Sequence, residues 1–72
     1  MNFDQLHQLD TIARLGTISA AANELHISQP ALSRSLARLE NELGTQLLDR
    51  QGRKISLNAA GKTALEYIRS IL

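Results

Sequence analysis

The feature that most constrains the fold is a short break between two amphipathic patterns, at residues 26–28. Apolar residues recur at helical spacing on both sides of it. Ser28 is a strong N-cap for the second helix, and Pro30 lies in the first turn, where its missing N–H is not needed. Ile27 and Leu32 stand on either side of the cap at the spacing of a hydrophobic staple. Two helices joined by so tight a turn predict a helix-turn-helix.

Two helices are expected before the break, the second of which is the one that the break joins to the third. Asn2 is a good N-cap with Gln5 in a capping-box relation, and Gly16 is a plausible C-terminal stop. The first helix then carries an apolar stripe of Phe3, Leu6, Leu9, Ile12 and Ala13. Thr17 or Ser19 can cap the second helix. Its apolar residues are Ile18, Ala21, Ala22 and Leu25, and the small alanines allow another helix to approach closely.

The third helical pattern, residues 28–43, has two distinct faces and stops at Gly44. At roughly 100° per residue its apolar residues share a narrow arc; they are Leu32, Leu36, Leu39 and Leu43. The opposite face is small and polar, with few bulky acids; it holds Pro30, Ser33, Arg34, Ala37 and Asn41. Such a face allows a helix to lie deep in the major groove of DNA, although most exposed helix faces are only solvated.

The periodicity changes after Gly44. Residues 47–50 and 54–57 predict two short strands joined through Gln51-Gly52-Arg53, a hairpin with a basic tip. A basic tip is often no more than an exposed loop. Attached to a helix-turn-helix, however, residues 50–54 become a wing, and an arginine at the tip suits the narrow, negative minor groove.

A fourth helix is predicted after the hairpin, with Asn58 as its cap. Its apolar residues are Ala64, Leu65, Ile68, Ile71 and Leu72. Because this helix reaches the last residue without a stop signal, we expect the chain to be a fragment cut inside it. The predicted fold is mainly α, a winged helix-turn-helix over residues 1–57 with a three-helix core and a two-stranded wing. Residues 58–72 begin a linker helix.

The residue content argues against several other classes of protein. The sequence has no cysteine, and His7 and His26 are isolated, so neither a disulfide nor a metal site is expected. His26 is interpreted as a packing or hydrogen-bonding residue of the turn and not as a metal ligand. No apolar run is long enough to cross a membrane and no signal-peptide pattern is present, which predicts a cytoplasmic protein. The sequence shows no Ser/His/Asp set, paired carboxylates or phosphate-cradling glycine loop, so we expect no enzyme and no cofactor in this segment.

Positive charge is concentrated in the middle of the chain. Residues 1–25 carry one basic and three acidic side chains, a balance of −2. Residues 26–54 carry five basic and three acidic side chains, a balance of +2. The basic residues of this middle segment are Arg34, Arg38, Arg50, Arg53 and Lys54. This asymmetry favours a polyanionic partner, although alone it also fits a solvated face.

These positions suggest individual DNA contacts. The amide of Gln29 matches adenine, and Ser33 suits several bases, while Pro30 or Ala37 can touch a thymine methyl. Arg34 fits guanine or phosphate equally well. The start of the second helix suits a phosphate, although capping alone explains its residues. The predicted DNA-binding residues are Thr17, Ser19, Ser28, Gln29, Pro30, Ser33, Arg34, Arg38, Arg50, Arg53 and Lys54.

The sequence resembles the DNA-binding domain of LysR-type transcriptional regulators over essentially its whole length. Residues 20–34, AAANELHISQPALSR, look like the helix-turn-helix signature of that family, and residues 36–44, LARLENELG, continue it. The matching wing and linker-helix positions are Leu47-Leu48-Asp49-Arg50, Leu57, Ala60 and Gly61. Leu48 stands where the family usually has phenylalanine, which is expected to affect packing under the wing. Asn58 replaces the commoner threonine but caps a helix at least as well.

The resemblance implies properties that the periodicity does not. Family members bind DNA as dimers through the long helix that begins here near Asn58, and often assemble as tetramers. They carry a C-terminal domain that senses a small-molecule effector, which these 72 residues do not include. By position, Gln29, Pro30, Ser33 and Arg34 match recognition-helix residues, and Arg53 matches a wing residue that enters the minor groove.

Two hypotheses of function therefore compete. The first is a dimeric, sequence-specific transcription factor that binds double-stranded DNA at an interrupted inverted repeat. The second is a winged-helix protein-interaction module that does not bind DNA. A protein-docking helix would more often present bulky apolar residues on its outer face, so the small face of the third helix beside a basic wing favours the first hypothesis.

Overall fold

A computed structural model describes residues 2–71 of the chain. Three helices are followed by a β-hairpin and a fourth helix. The elements are α1 (Phe3–Leu15), α2 (Ile18–Leu25), α3 (Gln29–Leu43), β1 (Leu48–Gln51), β2 (Lys54–Leu57) and α4 (Ala59–Ile71). The predicted winged helix-turn-helix is confirmed. None of the helices within residues 2–71 has the length and apolar character that a membrane span requires.

Local hydrogen bonds define where the first three helices begin. The N–H of Gln5 donates to Asn2 Oδ1 at 2.8 Å and the N–H of Asn2 donates back to Gln5 Oε1 at 3.1 Å, which confirms the capping box. Thr17, rather than Ser19, caps α2 by accepting from the N–H of Ala20 at 3.0 Å. Ser28 caps α3, and its Oγ accepts from the N–H of Ala31 at 3.1 Å.

A single apolar core joins all six elements. The leucines at 32, 36 and 39 confirm the predicted inner face of α3, since each is at most 1% exposed. The remaining core is Leu6, Leu9, Ile12, Ala21, Ala22, Leu47, Leu48, Ile55, Leu57, Leu65 and Ile68. The buried position of Leu48 agrees with its expected role in packing under the wing.

Several predicted apolar positions lie outside this core. Phe3 begins α1 and is 70% exposed, and Ala13 is also exposed, whereas Gln5 and Thr11 are buried on the inner face of that helix. Leu43 and Ile71 end their helices beyond the packed turns and are 43% and 70% exposed. Leu72, which was expected to continue the apolar stripe of α4, lies outside the described residues.

A buried polar bridge joins α1 to α3. The Nε2 of Gln5 donates to the backbone oxygen of Ser35 at 3.2 Å, and the hydroxyl of Ser35 donates to Gln8 Oε1 at 2.6 Å. Gln5 and Ser35 are both buried, and these bonds satisfy their polar groups. The bridge therefore adds directional contacts to the apolar packing of α3.

The hairpin differs slightly from the predicted one. Its register pairs Leu48 with Leu57 and Gln51 with Lys54, which leaves only Gly52 and Arg53 in the turn. The strand predicted at 47–50 therefore begins and ends one residue later. Gly52 has φ +60° and Arg53 does not share a positive φ, the pattern of a type II′ turn with glycine first.

The start of α4 lies directly against the loop before the wing. The N–H of Asn58 donates to Leu47 O at 2.9 Å, and Asn58 Oδ1 accepts from the N–H of Gly61 at 2.8 Å. Asn58 is thus the predicted cap. Gly61 is buried because the backbone of Leu47 occupies the space where a side chain would stand.

Candidate nucleic-acid interface

The outer face of α3 is accessible along most of its length. Four residues opposite the leucines, Pro30, Arg34, Ala37 and Asn41, are exposed, and Ser33 is half-buried. Gln29, the first residue of the helix, is also exposed. The turn before α3 is tight because His26 adopts the left-handed conformation, with φ 58°, and ends α2 by donating to Asn23 O at 3.3 Å. The predicted small, polar face is therefore available to a partner.

An open groove runs between the start of α3 and the wing. It brings together residues that are far apart in the sequence, from the start of α2, the first turns of α3 and the hairpin. Its lining is Thr17, Ile18, Ser19, Gln29, Pro30, Ser33, Arg50, Gly52 and Arg53. Seven of the eleven predicted DNA-binding residues are in this list, and it contains no acidic side chain.

The other four predicted residues lie outside this groove. Ser28 lines an adjoining concavity with Thr17, between the starts of α2 and α3. Arg34 and Arg38 are exposed on α3. They follow Ser33 by one and five residues, so at roughly 100° per residue both lie on the flank of the helix turned away from the wing. These cations extend the basic surface along α3 beyond the groove.

Strand alternation places Lys54 on the opposite face of the hairpin from Arg50, which lines the groove. Side chains alternate between the two faces of a strand, and Lys54, paired with Gln51, shares its face of the hairpin with Asp49 and Ser56. Arg50 is on the opposite face, paired with Ile55. The structure therefore does not bring Lys54 to the groove, although its backbone forms a bridge to Thr17.

The wing is attached to the helical body at both of its edges. On β2, the N–H of Ile55 donates to Gly16 O at 2.9 Å, and Thr17 pairs with Lys54. On the side of β1, Glu40 Oε2 accepts from the N–H groups of Leu47 at 2.7 Å and Leu48 at 3.2 Å. Neither attachment was predicted from the sequence. Glu40 in particular resembled an ordinary solvated acid of an amphipathic helix.

Within residues 2–71, no acidic side chain forms an ion pair with any of the five predicted DNA-binding cations. Among residues 2–71, the ion pairs within 4.0 Å join Arg14 to Asp10 and Glu24, and Arg69 to Asp10. The hydrogen bond that Arg14 Nη2 donates to the carboxylate of Glu24 raises the pKa of Arg14 above its ordinary value. None of the five cations predicted at the DNA face takes part in these pairs. Their charge therefore remains available to a polyanion.

Comparison with known proteins agrees with this geometry. The sequence profile of the bacterial regulatory helix-turn-helix proteins of the lysR family matches residues 3–62. The chain is 50% identical over 72 residues to the uncharacterised HTH-type transcriptional regulator YybE of Bacillus subtilis (strain 168), and 46% identical over 72 residues to the HTH-type transcriptional regulator ClcR of Pseudomonas putida. These matches cover 100% of this chain but 25% and 24% of those proteins.

Solved structures of DNA complexes have the same fold. The CbnR DNA-binding domain bound to DNA is 45% identical, with a TM-score of 0.93 over 99% of this chain and 82% of that one. The BenM DNA-binding domain on the benA site 1 DNA is 32% identical, with a TM-score of 0.91 over 99% of this chain and 83% of that one.

The fold and these matches define a sequence-specific, winged helix-turn-helix DNA-binding domain. The chain belongs to the LysR family of bacterial regulatory helix-turn-helix proteins. It spans about a quarter of the length of the curated relatives it matches.

Proposed function

We propose that this domain binds double-stranded DNA with α3 in the major groove and the tip of the wing at the adjacent minor groove. The observation that carries the proposal is the groove, in which the start of α3 faces the two wing arginines. When the N-terminal end of α3 enters the major groove, it presents Gln29 and Ser33 to the edges of the bases. Arg53, beside Gly52 at the tip, then has the shape and charge that a narrow minor groove attracts.

The starts of α2 and α3 supply the phosphate contacts in this proposal. Thr17 and Ser28 cap these helices, and both line the concavity between the two helix starts. Backbone N–H groups at helix N-termini bind anions, and Ser19 in the first turn of α2 adds a hydroxyl. Arg34 and Arg38 extend along the other flank of α3. These contacts fix the position of α3 on the duplex, whereas Gln29 and Ser33 distinguish the sequence.

For the whole protein we propose a transcriptional regulator that binds an interrupted inverted repeat as a dimer formed through α4. Two exposed side chains on that helix, Tyr67 and Ile71, support this role because each is 70% exposed on the single chain. We further propose tetramer assembly, a small-molecule effector bound by a domain outside these residues, and a binding rather than catalytic role. Bacterial DNA lies in the cytoplasm, so we place the protein there.

A salt titration of duplex binding tests the DNA proposal. If about four cations per chain contact phosphates, the logarithm of the binding constant falls with the logarithm of the salt concentration with a slope of about −3 to −4. Arg34→Ala is expected to reduce the steepness of that slope by roughly one if Arg34 contacts phosphate. Arg69→Ala is the matched control, because this arginine is paired with Asp10 on α1. Binding without any salt dependence would favour the protein-interaction alternative.

Selection of bound duplexes from a random-sequence pool tests the sequence preference and the dimer together. A dimer is expected to enrich two half-sites related by a two-fold axis and separated by about one helical turn or a multiple of it. Enrichment of a single half-site would support DNA binding but would contradict dimerisation through α4 in this chain.

A further inference from the structure

Glu40 accepts a hydrogen bond from the first strand of the wing. In an antiparallel pair, residues that exchange both hydrogen bonds alternate with residues whose N–H groups point outward. The N–H of Ile55 points outward to Gly16 O, so Ile55 and its partner Arg50 form a non-bonded pair. Leu48 and Leu57 lie two residues farther along their strands, so they also form a non-bonded pair. The N–H of Leu48 therefore points outward as well, and Glu40 is its acceptor.

The same carboxylate oxygen also holds the residue before the strand. The N–H of Leu47 donates to Glu40 Oε2 at 2.7 Å, and Leu47 is 2% exposed. A buried N–H without a partner is costly, so this bond favours one position of the loop over others. Charge-assisted bonds of this kind are shorter and stronger than neutral ones. Glu40 thereby joins α3 to the base of the wing through two directional contacts.

Glu40 lies beyond the groove on α3, but it points in nearly the same direction as a residue that lines the groove. It follows Ser33 by seven residues, so the two side chains point within about 20° of each other around the helix axis. Ser33 forms one wall of the groove and Arg53 part of the other. The helix that carries Ser33 therefore also fixes the strand that leads to Arg53.

We propose that Glu40 is a positioning residue that sets the reach of Arg53 into the minor groove while α3 occupies the major groove. This inference rests on the proposed function. From Leu48 to the turn at Gly52 the strand extends about 13 Å, at about 3.3 Å per residue. A tilt of about 10° at the base therefore moves the tip by about 2 Å. Such a displacement exceeds the range of about 0.5 Å over which hydrogen-bond lengths vary, so it weakens the contact of Arg53 unless the side chain adopts a new rotamer.

A double-mutant cycle on the duplex most enriched from the random-sequence pool measures this coupling. Arg53→Ala in the wild-type background is expected to weaken binding about tenfold, equivalent to about 1.4 kcal/mol, with little change in thermal stability. In the Glu40→Ala background the same substitution is expected to weaken binding less than about threefold, because Arg53 no longer reaches the DNA reproducibly.

Two further variants separate the hydrogen bonds from the charge. Glu40→Gln loses the charge but keeps an oxygen acceptor at the same reach, and we expect it to retain most of the tenfold effect of Arg53→Ala. Glu40→Asp keeps the charge but is one methylene shorter, and we expect it to behave as Glu40→Ala does. Thermal melting establishes that each variant is folded at the assay temperature, and Glu40→Asp replaces Glu40→Ala if the latter does not fold.

The outcomes distinguish a failure of this inference from a failure of the proposed function. If no sequence is enriched and binding is independent of salt, the proposed function is wrong. The positioning role of Glu40 is then also wrong, because it rests on the proposed function. If the wild-type chain binds but Arg53→Ala has the same effect in all backgrounds, Glu40 only stabilises the fold. If Glu40→Gln behaves as Glu40→Ala while Glu40→Asp behaves as the wild type, the carboxylate acts through its charge and not through the position of its hydrogen bonds. Either result overturns the positioning role.

Discussion

Gly61 is the position where a single methyl group tests the packing of α4 most directly. A Cβ built on Gly61 lies inside the van der Waals contact distance of Leu47 O, and it stands 3.1 Å from both Leu47 C and Leu57 Cβ. Leu47 cannot move away freely, because its N–H is bonded to Glu40 and its oxygen accepts from the N–H of Asn58. Gly61→Ala therefore forces either α4 or the loop before the wing to shift.

The expected loss of stability combines three effects. Overpacking against fixed neighbours costs about 1–3 kcal/mol. Loss of the bond from Asn58 to Leu47 adds about 1 kcal/mol. Replacing glycine by alanine in a helix stabilises the helix by up to about 1 kcal/mol, which offsets part of this loss. The net free energy of unfolding is therefore expected to fall by about 1–3 kcal/mol, which lowers the melting temperature by about 5–20 °C in a domain of this size.

Circular dichroism during thermal and urea unfolding measures this change. Ala60→Gly is the matched control, because Ala60 is the exposed neighbour in the same helical turn and reports helix propensity without a clash. It is expected to lower the free energy of unfolding by up to about 1 kcal/mol. If Gly61→Ala instead raises the melting temperature, helix propensity outweighs the contact, and the close approach of α4 to Leu47 is refuted.

Substitutions at three further positions test other parts of the structure. Ser28→Ala removes the N-cap of α3 and is expected to cost about 1 kcal/mol in urea unfolding, and an unchanged midpoint would argue against the cap. His26→Val places a β-branched residue at φ 58° and is expected to cost at least about 1 kcal/mol, whereas His26→Gly is tolerated; equal stabilities would contradict a left-handed turn. Ser33→Ala is expected to change the selected bases at one position, at a cost on the order of 1–3 kcal/mol, and uniform weakening of all sequences would reject Ser33 as a base contact.

Caps and helix faces were predictable because they depend on neighbours within one or two turns. The capping box of Asn2 and Gln5 and the cap at Ser28 join residues three positions apart. The outer face of α3 follows from the helical repeat alone. Among the caps, only the choice between Thr17 and Ser19 needed the structure, because both residues have the chemistry of a cap.

The contacts that position the wing depend on chain reversals that local patterns do not determine. The bond from Ile55 to Gly16 joins residues in different elements, and Glu40 reaches Leu47 and Leu48 only because the chain turns back after Gly44. The exposure of Phe3 has a related cause, since helical spacing marks a stripe but not the point where the neighbouring helices end. The sequence therefore predicted most residues that line the groove, but it did not predict the hydrogen bonds between elements that bring those residues together.

The distribution of paired and unpaired charges explains why a net charge of +1 underestimates the basic character of the groove. Arg14 and Arg69 form ion pairs with Asp10 and Glu24, so these four side chains largely neutralise one another away from the groove. The carboxylate of Glu40 is directed into the backbone of the wing base. Within the described part of the chain, the groove lining retains two arginines and no acid. A DNA duplex responds to that local field more than to the total charge, because salt screens charges more than about 8–10 Å away.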